Sequence, residues 1–340
     1  EYVEQPVVHL LLDQGQEYHF LKLNKTFLKE GNAMEFAKDP ALSYFDNVVA
    51  TVKEIKNGST LRSWTLKDTV ITNKSDGAFY APEQKLYFFK ADPLPSNPSN
   101  PNTLYLDEDA IYRLHIDIDY GNHIVKGQTE LIKGVSIKSP QVNQAFSFVK
   151  ELNQAKEYKN THISFNSIGN AAAFKTQLRF IYREHAASGV TDKSILWNIG
   201  EMNGSDILGS SSSVFAEGEV FFDLLGKQIV PNSDVTKRTV RGMEIILTAG
   251  SSDLQTYILT NKPSSSLAQN KPTYSNVDGA LGIFSSRSTI KQYKPYFNPQ
   301  NNMRSLDYNS TKELCTGPYT AALKFCSDIA LDNQAAFSCN

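Results

Sequence analysis

The sequence predicts a mostly β protein with minor α content. We expect an N-terminal antiparallel immunoglobulin- or fibronectin-like sandwich, followed by a mixed, mainly β domain with a few short helices. Two observations support this fold class: short alternating segments and turn signals crowd the first third of the chain, and helix-capping patterns occur only in the second half. The length of 340 residues fits two domains, which we place at 1–138 and 139–340.

The first strands follow from hydrophobic periodicity. Residues 7–12 form a nearly continuous apolar run, as expected for a buried strand. Residues 18–27 alternate instead, which puts His19 on the apolar face and Tyr18 and Phe20 on the opposite one. This segment is therefore predicted to be a half-buried strand.

Two hairpins complete the predicted sandwich. Segments 48–55 and 61–66 are joined through Asn57-Gly58, which supplies the two positive-φ positions of a type I′ turn. A second hairpin is predicted across residues 111–132, where two alternating segments flank a Gly-containing turn. The regular spacing of strands and turns favours an antiparallel sandwich.

The second half has a different pattern. Residues 220–228 repeat apolar side chains at helical spacing, and segments 252–255 and 310–313 have the sequence of a capping box. Residues 319–325 are predicted to be the last strand. The proline-rich segment 92–101 is predicted to be a surface loop, since four prolines are incompatible with a central strand or a helix.

Composition and missing motifs exclude several function classes. A net charge of -2 gives no electrostatic reason to expect nucleic acid as a partner, and no apolar run is long enough to span a bilayer. Phosphate-binding glycine loops, nucleophile elbows and zinc-binding histidine pairs are all missing from the sequence. We therefore predict no cofactor, assign no catalytic residue, and favour a protein that is not an enzyme.

One segment has the pattern of a metal site. His115, Asp117 and Asp119 project from one face of a predicted strand, and three such ligands on one face could hold a divalent cation. The alternative is a solvated sheet face, because alternation alone puts polar residues there. We predict that no metal is tightly bound.

The aromatic residues suggest a binding function. Trp64 and Trp197 lie on predicted strands, and exposed Trp or Tyr side chains suit the binding of sugars or peptides. The alternative interpretation for both tryptophans is packing in the core.

The three cysteines lie within the last segment of the chain, and an exported protein could form one disulfide from them. If residues 319–325 are a strand, about 3.3 Å per residue separates Cys315 from Cys326 too far for a bond. A chain that runs back beside that strand would bring Cys339 to Cys315, so we predict a Cys315–Cys339 disulfide. The rival pairing is Cys326–Cys339.

The segment KPTYSNVDGALGIFSSR at 271–287 is the most distinctive in the chain. It resembles a segment near the end of exported lipoproteins of Bacteroidota, which form large families of unknown function; residues 276–284 carry the resemblance. The hairpin at 114–129 fits the same plan. The resemblance implies a lipid-anchored envelope protein with an immunoglobulin-like N-terminal domain, and it implies no activity.

Together these observations predict a non-catalytic cell-envelope lipoprotein, on the outer membrane or in the periplasm, that binds a glycan, a peptide or an envelope protein. The chain begins at Glu1 with no signal segment, so we expect a mature or trimmed product that meets the membrane only through a removed N-terminal lipid anchor. The alternative is a secreted hydrolase with catalytic carboxylates in an interdomain cleft.

Overall fold

A computed structural model describes residues 4–26, 31–77, 80–95, 103–152, 155–167, 169–203, 211–262 and 273–340. In these residues the protein is mostly β with a few helices and multiple sheets, which confirms the predicted fold class. The helices are α1 (Ala33–Phe36), α2 (Gly218–Gln228), α3 (Ser252–Asn261) and α4 (Tyr308–Thr316). None of the helices in the described ranges is long and apolar enough to cross a membrane.

The strands up to residue 139 are β1 (Pro6–Leu12), β2 (Tyr18–Lys25), β3 (Val48–Lys56), β4 (Ser59–Thr65), β5 (Lys67–Ile71), β6 (Gln84–Lys90), β7 (Ile111–Ile118), β8 (His123–Glu130) and β9 (Val135–Ser139). The next seven are β10 (Val149–Leu152), β11 (Ala155–Tyr158), β12 (Asn160–Ser167), β13 (Ala171–Ala186), β14 (Gly189–Asn203), β15 (Ser211–Glu217) and β16 (Val235–Ser251). The last are β17 (Val277–Asp278), β18 (Leu281–Pro295), β19 (Phe297–Asn298) and β20 (Met303–Arg304).

The chain forms two compact units, and each unit is built from three separate segments of the sequence. Unit 1 comprises Glu1–Lys133, Gly169–Ala173 and Ala249–Ser288; unit 2 comprises Gly134–Ile168, Phe174–Thr248 and Thr289–Asn340. The two domains proposed from the sequence, 1–138 and 139–340, are each one continuous segment, whereas the units are not. Local strand and turn patterns do not show which distant strands pair, and here β18 pairs with β1.

Unit 1 is built on two sheets. Sheet A has eight strands, of which the consecutive run β18-β1-β2-β6-β5 concerns unit 1, and sheet B has the order β17-β8-β7-β3-β4. Sheet A is mixed, because β1 runs parallel to β18 and antiparallel to β2. One apolar cluster contains buried side chains from both sheets, among them Leu10, Leu12 and Leu21 of sheet A and Val52, Leu114 and Ile116 of sheet B.

Both predicted hairpins of unit 1 are present. β3 pairs with β4 across Asn57 and Gly58, whose φ angles of 51° and 77° are those that the Asn-Gly pair predicts. β7 pairs with β8 across a turn in which Asp119 and Tyr120 also have positive φ. Residues 96–101 of the predicted proline-rich loop lie outside the described residues.

The distinctive segment at 276–284 contains β17 of sheet B and the first residues of β18 of sheet A. The side-chain amide of Asn276 donates to the carbonyl of Phe284 and accepts from its N–H, both at 2.9 Å. Gly279 and Gly282 have positive φ, and a Cβ at these positions would lie 2.2 Å from the Ile124 carbonyl oxygen and 2.0 Å from that of Val8. These residues form a turn that leads into a buried strand, and glycine is required where the backbones approach so closely.

Unit 2 packs α2 and long strands around an aromatic core that contains Phe148, Phe180, Phe221 and Phe222.

The N-terminus of α4, in unit 2, is capped by a different residue from the one predicted. The capping side chain is Asp307, which accepts a hydrogen bond from the Ser310 N–H at 2.8 Å. In unit 1, α3 is capped by Ser251 rather than Ser252. Any nearby Ser or Asp in an extended conformation can cap, so tertiary packing selects which residue does.

The predicted Cys315–Cys339 disulfide is wrong. Cys326 bonds Cys339 with the Cα atoms 5.0 Å apart, and Cys315 is free. The prediction failed because 319–325 is not a strand: it contains a 3-10 turn at Ala321–Leu323, and the tail folds back so that Ser327 lies opposite Ser338. Burial raises the pKa of the Cys315 thiol to about 12.

Candidate ligand-binding site

The structure does not assemble a metal site from the predicted candidates. Asp117 Oδ1 accepts the Gly121 N–H at 2.7 Å, and Asp119 Oδ1 accepts the Asn47 N–H at 3.3 Å, so both carboxylates stabilise the turn region. His115 lies on the solvated face of β7, which matches the alternative interpretation of this segment. In the part of the chain that the structure describes, no group of three or more His, Cys, Asp or Glu could hold a metal ion.

Both tryptophans belong to cores. Trp64 packs against the core of unit 1 and stacks on Phe89 with ring centroids 4.9 Å apart. Trp197 packs against the core of unit 2, with its ring centroid 6.1 Å from that of Phe221. The aromatic surface that a ligand could use therefore lies elsewhere.

A cavity of about 380 Å³ opens in unit 1 where β1 ends and β2 begins. This volume falls within the range of small-molecule sites. The strand ends place polar groups at its base and aromatic rings at its rim, since β1 and β2 are antiparallel neighbours joined by a short turn. The lining residues are His9, Leu11, Asp13, Gln16, Tyr18, His19, Phe20 and Arg287.

The aromatic rim is formed by the solvent face of β2. Tyr18 and Phe20 are 44% and 45% exposed, which is high for side chains of this size on a strand. Each ring leans on Phe88 of β6, at centroid distances of 6.2 and 6.0 Å. The two rings therefore present a supported apolar platform beside the cavity.

The polar base is formed by the turn that follows β1. Asp13 Oδ1 accepts the Gly15 N–H at 3.1 Å, and its Oδ2 lies 3.8 Å from Nε of the half-exposed Arg287. Gln14, next along the chain, is buried and donates from Nε2 to the Ile132 carbonyl at 2.8 Å and to Ser288 Oγ at 3.1 Å. Asp13 and Gln14 are thus held in fixed positions by the backbone around them.

Two histidines of the cavity are neutral at physiological pH. Burial lowers the pKa of His19 to about 4, against a smaller opposing effect of its hydrogen bond to the Gln16 backbone. Burial, with a smaller effect of Lys22, also lowers the pKa of His9. The ring of His19 stacks on Phe89 at 4.8 Å, and Nε2 of His9 shares a 2.6 Å hydrogen bond with the Tyr257 hydroxyl. Both rings therefore have fixed orientations.

Some buried polar atoms around this cavity have no partner. Within the described ranges, Nε2 of His19 and Nδ1 of His9 make no hydrogen bond. An unpaired buried polar atom costs about 1–3 kcal/mol, so a folded protein keeps few of them without a reason. Two such atoms on residues that line one cavity indicate a place where a ligand supplies hydrogen-bond partners.

These residues were not predicted to form a site, although the sequence contains a signal for them. The alternation in β2 put Tyr18 and Phe20 on the polar face and His19 on the apolar face, and the structure confirms both placements. Two aromatic rings on a solvent-facing strand surface and an imidazole in a core are each unusual. Their meeting at one cavity depends on the turn at 13–16, which the periodicity does not describe.

Neither a family model nor a curated protein matches this sequence. Among solved structures, a similar chain is the C-terminal globular domain of an oligosaccharyltransferase from Pyrococcus abyssi, with 12% sequence identity and a TM-score of 0.24. The match covers 71% of this chain and 44% of that one, so this chain spans less than half the length of the other. Similarity at this level says nothing about the function of this chain.

Proposed function

We propose that this protein is a non-catalytic glycan-binding protein of the bacterial cell envelope, and that the glycan binds at the Tyr18–Phe20 platform. The observation that carries the proposal is the combination of a supported, exposed aromatic surface with unpaired buried hydrogen-bonding atoms in one cavity. A sugar ring has an apolar face that packs on an aromatic ring and hydroxyl groups that both donate and accept hydrogen bonds.

The polar groups match this chemistry. Neutral His9 and His19 offer ring nitrogens, and Arg287 offers N–H donors beside Asp13. A hydroxyl can serve any of these atoms, because it is both donor and acceptor. A purely apolar ligand would leave the buried atoms unpaired.

The envelope location rests on two further supports. The segment at 276–284 resembles that of exported Bacteroidota lipoproteins, and the Cys326–Cys339 disulfide is of a kind that persists in oxidising compartments. An anchor of the lipoprotein type remains part of the proposal. The hydrolase with carboxylates in an interdomain cleft remains an untested alternative.

The test is a binding titration with neutral hexasaccharides of β-glucan, α-glucan and chitin type, by calorimetry, on the wild type and on Tyr18→Ala and Phe20→Ala. We expect one of the three sugars to bind and each variant to bind it about tenfold more weakly, the effect of losing about 1.4 kcal/mol of ring contact. Phe215→Ala is the matched control, since Phe215 is an exposed aromatic on a strand of unit 2.

Mass spectrometry of the sugar after incubation completes the test. An unchanged hexasaccharide supports a binding protein, whereas shortened products would show a hydrolase. Equal loss of affinity in Phe215→Ala, or no binding by the wild type to any of the sugars, would contradict the assignment of the site.

A further inference from the structure

A second concave surface of unit 1 lies on the solvent face of sheet B. It is an open groove of about 730 Å³ lined by residues of β3, β4, β7, β8 and β17. The side chains alternate in these strands, so one mostly apolar face enters the core and the other, mostly polar face lines the groove. None of the residues that line the groove belongs to the Tyr18–Phe20 cavity.

The strand register puts positive charges opposite one another in this groove. Lys53 of β3 lies directly opposite Arg113 of β7. Lys126 of β8 lines the same groove, where it lies opposite His115 of β7. Like charges that face each other across a sheet destabilise it, so this arrangement calls for an explanation other than stability.

Nearby carboxylates do not neutralise these cations. Lys56 forms ion pairs with Asp107 at 2.8 Å and Asp109 at 3.6 Å, and Lys133 binds the other oxygen of Asp109 at 3.0 Å. The carboxylate of Glu54 is also engaged, because it points inward and pairs with Arg62 at 2.6 Å. These acids stabilise the fold at other places.

Within the described ranges, Lys53, Arg113 and Lys126 form no ion pair. Arg113 donates from Nε to Gln128 Oε1 at 3.0 Å, which fixes its guanidinium in the groove. The carboxylate that lines the groove is that of Asp278, opposite Lys126. Three cations against one carboxylate leave the groove positively charged in a chain whose net charge is -2.

The remaining lining groups define the class of anion. Thr51, Thr60 and Gln128 add hydroxyl and amide groups that bind hydroxyls, and none of the lining residues is Phe, Tyr or Trp. A single-stranded nucleic acid requires aromatic rings on which its bases stack, so the groove does not fit one. A saccharide that bears carboxylates matches both the charge and the hydroxyl-binding groups.

We propose that this groove is a second binding site, and that its occupant is a carboxylated glycan whose uronate groups pair with Lys53, Arg113 and Lys126. It is independent of the proposed neutral-sugar site, because the two sites share no residue. Failure of either assignment therefore leaves the other standing.

The experiment is a calorimetric titration of the full chain with an oligogalacturonate hexamer, carried out at low and at high salt. We expect the double variant Lys53→Gln with Arg113→Gln to bind the hexamer about tenfold more weakly than the wild type. The affinity of the wild type should fall at high salt, because salt screens the charges. Asp278→Asn removes the carboxylate of the groove, so about threefold tighter binding is expected. A gain of affinity cannot arise from a misfolded variant.

Four controls separate the alternatives. Lys67→Gln removes an exposed strand lysine of sheet A and should leave the affinity unchanged, as should Tyr18→Ala. Linear polyphosphate should bind more weakly than the uronate, and vesicles of anionic phospholipid should not retain the protein. Equal binding of polyphosphate, retention on the vesicles, or an unchanged affinity in the double variant would overturn the proposal.

Discussion

Two buried polar clusters, one in each unit, differ in how completely their hydrogen bonds are satisfied. In unit 2, Arg238 donates from Nε and Nη2 to Glu184 Oε1 at 2.9 and 2.8 Å and from Nη1 to the Leu323 carbonyl at 2.6 Å. Lys193 holds the other oxygen of Glu184 at 2.6 Å. Burial alone would raise the pKa of Glu184, but its bonds with Lys193 and Arg238 lower it.

The cluster in unit 1, at the end of β1, is incomplete by comparison. His9, Gln14 and His19 each keep one buried atom without a partner in the described part of the chain. A buried network that is fully satisfied stabilises a fold, whereas one that is partly satisfied costs free energy. The Arg238 cluster is thus a structural network, and the unsatisfied atoms of the other cluster are the reason for proposing a binding site at the cavity.

The largest expected effect is on the Arg238 cluster. Arg238→Met leaves Glu184 with Lys193 as its remaining ion-pair partner and removes the donor to the buried Leu323 carbonyl, so we expect the free energy of unfolding to fall by about 3–5 kcal/mol. Urea denaturation of both proteins at pH 7 measures this change. The matched control is Arg179→Met on β13, whose partly exposed pair with Glu244 should contribute no more than about 1 kcal/mol. Equal losses in the two variants would remove the distinction.

A smaller effect is expected from the pH dependence of His19. Its pKa is about 4 in the folded protein and 6.5 when unperturbed, so the unfolded chain takes up a proton first as the pH falls. Stability due to neutral His19 is thus fully present above pH 6.5 and is lost as the pH falls towards 4. From pH 7 to pH 5 the loss should be about 2 kcal/mol.

His19→Phe tests this loss, because phenylalanine keeps the ring that stacks on Phe89 and does not titrate. Urea denaturation at pH 7 and pH 5 should show a smaller loss in the variant than in the wild type. At pH 7 the variant should be at least as stable as the wild type, since it removes the unpaired Nε2 atom. A pH dependence identical to that of the wild type would mean that His19 is not a buried neutral imidazole.

The smallest expected effect is on the platform itself. Tyr18→Ala removes a half-exposed side chain, so we expect the free energy of unfolding to change by less than about 1 kcal/mol. Thermal denaturation measures this, beside the loss of sugar affinity described above. A large loss of stability would show that Tyr18 serves packing rather than ligand binding. The cavity would then have a structural role, as the Arg238 cluster has.

The sequence predicts the part of the candidate site that lies on β2, but not the part contributed by β18. The period of β2 identifies which faces carry Tyr18, Phe20 and His19, because side chains alternate strictly along a strand. The position of Arg287 could not be predicted, since it reaches the cavity only through the parallel pairing of β18 with β1. Periodicity likewise did not show how the candidate metal ligands Asp117 and Asp119 are used, since both accept hydrogen bonds from backbone amides around the turn.

The sequence alone determined the fold class, the two hairpins of unit 1 and the turn at Asn57-Gly58, because local periodicity and positive-φ residues set these features. Tertiary structure decided three others: the assembly of each unit from three separate segments, the Cys326–Cys339 pairing and the meeting of Tyr18, His19 and Arg287 at one cavity. Each depends on contacts between residues distant in sequence. Such contacts are selected by the burial of apolar surface across the whole molecule, which no local pattern of residues encodes.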